Sequence, residues 1–187
     1  MASIEKQPTL TGERIYMRGV TELDVDGQYY NWMNDLGVLK FVEARFLENT
    51  KENLKETVAV WKDNPNIYFF AILLKENDRH IGNIKLGPID QNHKFADIGI
   101  VIGEKDCWGE GYGKEALNLL THFAFKELNL HKLTAGCYSN NVASAKLFQK
   151  SGFQLEGIRK SHYIFENKYV DAMLFGKINP DKDKEIQ

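Results

Sequence analysis

Three glycines alternate in the stretch DCWGEGYGKEAL, at 106–117, immediately before residues that favour a helix. Backbone amides at a helix start have no acceptor inside the helix, and glycines there let a bulky anion approach them. Gly109, Gly111 and Gly113 therefore predict either a phosphate-binding loop or a tight turn with a glycine-rich N-cap. Their spacing fits neither the P-loop, G-x-x-x-x-G-K-[ST], nor the dinucleotide fingerprint, G-x-G-x-x-G.

The hydrophobic pattern around this stretch changes period several times, which predicts strands and helices in alternation. Antiparallel strands joined by short turns are expected in mid-chain, and an apolar stripe predicts a long helix directly after the glycines. We expect one domain with its core over about 10–178 and a frayed tail at 179–187. The predicted strands are 13–20, 67–75, 80–89, 96–103, 132–139 and 169–178. The predicted helices are 21–35, 50–63, one after the glycines with its apolar stripe at Ala116, Leu120, Phe123 and Leu128, and a shorter one within 141–153 that ends at Gly152.

Composition and charge exclude several classes of protein. The 187 residues have a formal net charge of -2, which argues against a protein built around nucleic acid. The opening MASIEKQPTL has no apolar leader, and the longest apolar run, at 67–74, is too short to span a bilayer, so we expect a cytoplasmic protein without a membrane partner. Cys107 and Cys137 are interpreted as buried or incidental thiols, and the histidines lack metal-ligand spacing, so no metal is predicted.

The ordered set of motifs resembles a known family. Residues 96–153, from ADIGIVIG through the glycine stretch to NVASAKLFQKSGF, resemble the acyl-CoA-binding region of the GNAT superfamily of N-acetyltransferases. Residues 10–35 and 155–178 look like the branch that holds the ribosomal-protein N-terminal acetyltransferases. Within that branch, IGNIKLGPID, ADIGIVIG and NLHKLTAG are most similar to acetyltransferases acting on amino sugars of nucleotide-linked intermediates.

This resemblance implies an α/β (α+β) fold, with a mixed, mostly antiparallel sheet flanked by helices and acetyl-CoA in a V-shaped opening between two splayed strands. The strand carrying Ile100, Val101 and Ile102 would pair with the pantetheine arm, which Asn141 would also contact. Gly99, inside that strand, indicates a close backbone approach or a twist site. The amides offered to the pyrophosphate would be those of Gly109, Glu110, Gly111, Tyr112, Gly113 and Lys114.

The general acid is not obvious from the sequence. Acyl transfer to an amine needs a proton acceptor, a donor for the oxyanion and an acid for the departing thiolate. The tyrosine that many GNAT enzymes use as acid is replaced here by Phe148, which cannot donate. Ser144 is one candidate, with helix capping as its structural alternative, and Tyr138 is another. Trp108 stands where many relatives have Gln or Arg, and we interpret it as packing against the loop.

The candidates for the general base are Asp97, Glu43, His162 and a chain of water molecules. Strand alternation puts Asp97 on the face opposite Ile98, which favours a solvated carboxylate. His162 lies in RKSHYIF, where relatives place a substrate-lining segment, and it could titrate near neutral pH.

The acceptor site is expected to include Glu43 and Arg45, with Trp32 and Tyr163 as possible stacking surfaces for a sugar ring. Three functions stay open. The first is an acetyl-CoA-dependent N-acetyltransferase for a small amine, an amino sugar on a nucleotide carrier; the second transfers to a protein N-terminus or a polyamine. The third is a non-catalytic acyl-CoA-binding module, which Phe148 keeps in play. A homodimer through a sheet edge or helix face is a further expectation.

Overall fold

The computed structural model describes residues 7–182 and contains one eight-stranded mixed sheet with helices on both faces. The strand order is β1-β2-β3-β4-β5-β6-β8-β7, in which β5 and β6 run parallel and the other neighbours run antiparallel. The strands are β1 Leu10–Thr11, β2 Ile15–Gly19, β3 Tyr68–Leu74, β4 His80–Asp90, β5 Phe95–Ile102, β6 Lys132–Tyr138, β7 Gln154–Phe165 and β8 Lys168–Ile178. The α-helices are α1 Glu22–Asp24, α2 Tyr30–Trp32, α3 Lys51–Asp63, α4 Tyr112–Lys126 and α5 Val142–Lys150.

Strand alternation divides the core into two layers. One face of the sheet carries residues such as Phe70, Ile84 and Ile98, which pack with the apolar stripes of α4 and α5. The opposite face carries Phe69 and Ala71, which pack with buried residues of the segment 20–38 and of α3. The start of α4, which follows the glycine stretch, thus packs on the first layer, while the second face is partly exposed along β5 and β6.

The helix predicted over 21–35 is interrupted. A π-type turn, Val25–Tyr29, separates α1 from α2, and Gly27 within it has φ −96° and ψ −144°, which no helix accommodates. Gly27 has no Cβ to restrict this backbone, and Arg18 anchors α1 through a two-pronged ion pair with the buried Asp24. Propensity alone could not reveal a break set by these tertiary contacts.

The strand β7 and the residues after β8 also differ from expectation. β7 lies at the sheet edge with almost every side chain exposed, so its sequence has no buried alternating face by which a strand is recognised. Asn179, predicted to lie in a frayed tail, is 2% exposed, and its Nδ2 donates to the carbonyls of Phe125 and Leu130. That part of the prediction is wrong for Asn179, and residues 183–187 lie outside the described part of the chain.

Candidate active site

The two parallel strands at the centre of the sheet separate part-way along their length. Their pairing starts at Phe95–Lys132 and ends at Ile98–Ala135, although β5 continues to Ile102 and β6 to Tyr138. β4 follows β5 as far as the pair Gly82–Ile102, so the edge of β5 that faces β6 is left without a strand partner. This is the predicted V-shaped opening.

Backbone alternation decides which groups of β5 face this opening. Gly103 N donates to Ile81 O, so the odd-numbered residues nearby direct their backbone groups toward β4. Ile100 and Ile102 therefore present N–H and C=O to the gap, and Trp108 Nε1 already donates to Ile102 O at 2.7 Å. Val101 was predicted to pair with the pantetheine arm as well, but its backbone groups point to β4 and are not available for this.

The glycine stretch forms the turn that leads into α4. Gly109 and Gly111 have φ of 82° and 86°, left-handed values that residues with a Cβ seldom adopt. Gly111 is the N-cap, and the first bond of the helix runs from Glu115 N to Gly111 O. The N–H groups of Tyr112, Gly113 and Lys114 precede that bond and have no intrahelical acceptor, which is the arrangement that binds phosphate.

The start of α5 closes the other side of the opening. Asn141, not Ser144, is the N-cap: Asn141 Oδ1 accepts from Ser144 N at 3.1 Å. Burial raises the pKa of the Cys137 thiol at the end of β6, and the adjacent Ser144 hydroxyl lowers it in part. Phe148 is 2% exposed and packs against Phe153 and Phe175 in the core, so this position supplies no proton donor.

Asp97 lies on the open face of the sheet, in the part of β5 that is still paired with β6, one residue before that pairing ends. Ile98 is buried on the opposite face, as alternation predicts. Desolvation raises the pKa of Asp97, although its side chain keeps access to solvent and Thr134 Oγ1 donates to its Oδ1 at 2.9 Å. Gly99 follows on the same face in regular pairing with Lys85, and a Cβ built there meets no atom within 4 Å. The space in front of Asp97 is therefore open.

Tyr138 connects this face to the short 3₁₀ segment Glu43–Phe46. Its hydroxyl donates to Glu43 Oε1 and accepts from Arg45 Nη2 at 2.8 Å. Burial raises the pKa of Tyr138 to about 12, helped by the hydrogen bond to Glu43. Tyr138, the second candidate acid, is thus hydrogen-bonded to Glu43 and Arg45, and its raised pKa means that it releases its proton less readily.

Aromatic rings form a wall beside Tyr138. Tyr163 stacks on it with ring centroids 4.2 Å apart and an 18° angle, and the exposed His162 meets Tyr163 edge-on at 4.8 Å. Phe41 stacks on Phe165 at 5.0 Å. The sequence did not identify these two phenylalanines as site residues, although Phe41 stands only two residues before Glu43, which was predicted to line the acceptor site.

The sequence matches the model of the acetyltransferase (GNAT) domain over residues 14–154. The chain belongs to the GNAT acetyltransferase family. The uncharacterized N-acetyltransferase p20 of Bacillus licheniformis is 33% identical over 106 residues, which cover 57% of this chain and 59% of that protein. The probable N-acetyltransferase YjcK of Bacillus subtilis (strain 168) is 26% identical over 183 residues, covering 94% and 99%.

The GNAT fold is equally clear among solved structures. Spermidine N-acetyltransferase from Vibrio cholerae, solved with CoA and spermine, matches this GNAT domain with a TM-score of 0.79 at 20% identity, over 89% of this chain and 96% of that chain. The predicted fold class and the predicted N-acetyltransferase class are confirmed.

Trp32 is not part of the aromatic wall beside Tyr138 in this GNAT domain. It is 4% exposed, its Nε1 donates to Glu104 Oε1 at 2.8 Å, and its ring packs edge-on against His80. The prediction that Trp32 stacks on a substrate ring is wrong, because the interrupted α1–α2 segment turns this side chain into the core.

Gly103 leaves room for the buried Trp32 ring, since an ideal Cβ would lie 2.0 Å from Trp32 Cδ2. We expect Gly103→Ala to lower the free energy of unfolding by about 1–3 kcal/mol through overpacking, as measured by urea denaturation. Gly99→Ala, in β5 four residues earlier and with an open Cβ position, is the matched control. Equal losses in the two variants would mean that the Trp32 contact is not the cause.

Within 7–182, no helix has the length and apolar character needed to cross a bilayer. The same residues contain no group of three or more His, Cys, Asp or Glu side chains that could hold a metal ion.

Proposed function

We propose that this GNAT enzyme transfers the acetyl group of acetyl-CoA directly to the primary amine of an amino sugar on a nucleotide carrier. The observation that carries the proposal is the separation of β5 from β6 after Ile98–Ala135, with the glycine loop at one side and the aromatic wall on the open face. This geometry allows the two substrates to meet at the gap from opposite faces of the sheet. Holding them in register can supply roughly 7–11 kcal/mol of the barrier reduction.

The cofactor side uses backbone groups. The diphosphate of acetyl-CoA accepts hydrogen bonds from the loop amides, and the start of the α4 dipole adds favourable positive potential. Ile100 and Ile102 bond the pantetheine arm, and Asn141 contributes its Nδ2, because its Oδ1 is engaged by Ser144 N. The loop residues with this role are Gly109, Glu110, Gly111, Tyr112, Gly113 and Lys114.

Asp97 is the base in this proposal. An alkyl ammonium must lose a proton before it can attack, and a carboxylate with a raised pKa accepts that proton more readily than an ordinary one. Its place beside the unfilled space at Gly99 supports this role, directly or through one water molecule. Glu43 is not assigned as the base because its carboxylate already accepts a hydrogen bond from the Tyr138 hydroxyl. His162 is not assigned either, because its side chain is exposed and lies beside Tyr163 at the aromatic wall.

Ser144 is the acid in this proposal. As the C–N bond forms and the C–S bond breaks, the amine proton passes to Asp97 and the departing thiolate takes the hydroxyl proton of Ser144, which solvent then restores. The position of Ser144 in the first turn of α5, beside the end of β6, supports the assignment. Tyr138 is assigned a positioning role instead, since its proton is directed to Glu43.

The chemistry of the open face favours a ring-bearing, anionic acceptor. Tyr163, which stacks on the buried Tyr138, offers a partly exposed aromatic ring, and Arg45 places its guanidinium carbon 5.0 Å from the Tyr138 ring centroid. Arg159 lies near enough to lower in part the pKa of Tyr163, which desolvation raises. A polyamine would need a row of free carboxylates, whereas Glu43 on this face is already hydrogen-bonded.

An acceptor panel tests the proposal. We expect nucleotide-linked amino sugars to have a kcat/KM at least about 100-fold higher than spermidine or peptides with a free N-terminus. Only the nucleotide-linked sugars carry both a ring that can stack on the aromatic wall and phosphates that can pair with the arginines. The assay measures thiol release, with mass spectrometry of the product. Preference for spermidine or a peptide would overturn the acceptor assignment. Acetyl-CoA binding without transfer to any amine would identify a non-catalytic binding module.

A further inference from the structure

Arg14 reaches the glycine loop from a distant part of the chain. It lies just before β2, yet its Nη1 donates to Glu110 O at 3.0 Å, across a sequence separation of 96 residues. Its guanidinium carbon also lies 4.4 Å from the centroid of the Tyr112 ring. A side chain that is distant in sequence therefore contacts the loop on both sides of Gly111.

Glu115 secures Arg14 in this position. Arg14 Nε lies 3.1 Å from Glu115 Oε2, while Glu115 Oε1 accepts from the backbone N–H groups of Arg14, at 2.8 Å, and Ile15, at 3.3 Å. Partial burial would raise the pKa of Glu115, but these bonds lower it overall, so the carboxylate stays charged. The start of β2 and the first turn of α4 are thus held as one unit.

The bond to Glu110 O has a consequence for the neighbouring amide. In a trans peptide the C=O and the following N–H point in opposite directions. Because Arg14 holds Glu110 O on its own side, the N–H of Gly111 points away from Arg14. Gly111, with its left-handed φ, is the N-cap of α4, so the free amides of Tyr112, Gly113 and Lys114 follow directly after it in the chain.

We propose that Arg14 is a positioning residue for the cofactor diphosphate: it orients the Glu110–Gly111 peptide so that the Gly111 N–H faces the anion. The inference rests on the proposed acetyl-CoA function. The Arg14 charge, 45% exposed at its side chain, adds positive potential beside the loop.

Calorimetric titration with CoA, which needs no acceptor, tests this role. We expect Arg14→Gln to weaken CoA binding about tenfold, because a charge-assisted bond that orients the loop is lost. Arg14→Lys should recover part of the affinity, since it keeps the cation but not the two-pronged geometry. Lys126→Gln, which removes an exposed ion pair with Asp181 at the other end of α4, is the matched control and should bind CoA as the wild type does.

Turnover with two donors separates positioning from general stability. Arg14→Gln should raise the KM for acetyl-CoA with little change in kcat, and should leave kcat/KM for S-acetylpantetheine, which lacks the diphosphate, unchanged. Equal losses with both donors would overturn the proposal in favour of a structural role. If Arg14→Gln does not fold, unaltered CoA affinity in Arg14→Lys would overturn it. Failure of the wild type to bind CoA would instead contradict the proposed function itself.

Discussion

Replacing Gly109 with aspartate should weaken acetyl-CoA binding about thirtyfold, whereas asparagine at the same position should have a much smaller effect. A carboxylate about 5 Å from a bound diphosphate costs about 2 kcal/mol after screening by solvent, which corresponds to that factor. Gly109 suits this comparison because a Cβ there meets no atom within 4 Å. Its φ of 82° is one that Asn and Asp tolerate better than other residues with a side chain.

The Asn variant is the control, because it matches the Asp variant in size and backbone strain and differs only in charge. Calorimetry measures both affinities, and thermal denaturation with acetyl-CoA at about 100 times its dissociation constant should reveal about 2.7 kcal/mol of stabilisation in the wild type. Equal affinity in the two variants, or no ligand-induced shift in the wild type, would mean that the glycines form only a tight turn.

Asp97→Asn should lower kcat at least about 100-fold, the usual contribution of a positioned base. The pH profile gives the sharper result. The base must be deprotonated, so kcat/KM falls as pH drops through the pKa of Asp97, and desolvation moves this acidic limb to higher pH than a fully solvated aspartate would give. In Asp97→Asn that limb should disappear, leaving only the dependence on the ionisation of the acceptor amine. A limb that persists in this variant would assign the base elsewhere.

Thr134→Val should move the same acidic limb of the pH profile further toward higher pH. Thr134 Oγ1 donates to Asp97 Oδ1 and lowers its pKa in part, so removing the hydroxyl raises the pKa and shifts the limb to higher pH.

The raised pKa of Asp97 also has a consequence for stability. At a pH above the pKa that Asp97 has in the unfolded chain, the charged carboxylate is less favourable in the folded state, so Asp97→Asn should melt no lower than the wild type at pH 7. A large drop in the melting temperature of Asp97→Asn would indicate a structural role for Asp97.

Local pattern was enough to predict most of the scaffold. Thr50 begins α3 by accepting from Asn53 N, and Leu54 and Val58 lie on its buried face, as the sequence indicates. The glycine turn before α4 could equally be predicted from the sequence, because a left-handed φ before a helix start depends on residues that are adjacent in the chain. Each of these features is decided within one or two helical turns.

Contacts between residues that are distant in the sequence could not be predicted from local pattern. Tyr138 bonds Glu43 across 95 residues, and nothing local to either residue predicts that this bond removes Tyr138 from the candidate acids. Trp32 has the residue type of a stacking surface, but the interruption at Gly27 turns it into the core. Sequence spacing cannot specify which faces meet when distant segments pack.

The domain class, the glycine turn before α4 and the cap at Thr50 follow from the amino-acid sequence, since propensity, periodicity and left-handed backbone act over a few residues. Three features arise in the folded structure alone: β5 separates from β6 after Ile98, Ile100 and Ile102 rather than Val101 face the gap, and Arg14 holds the glycine loop. Strand register and side-chain pairing across the sheet depend on the packing of the whole core, which no single segment encodes.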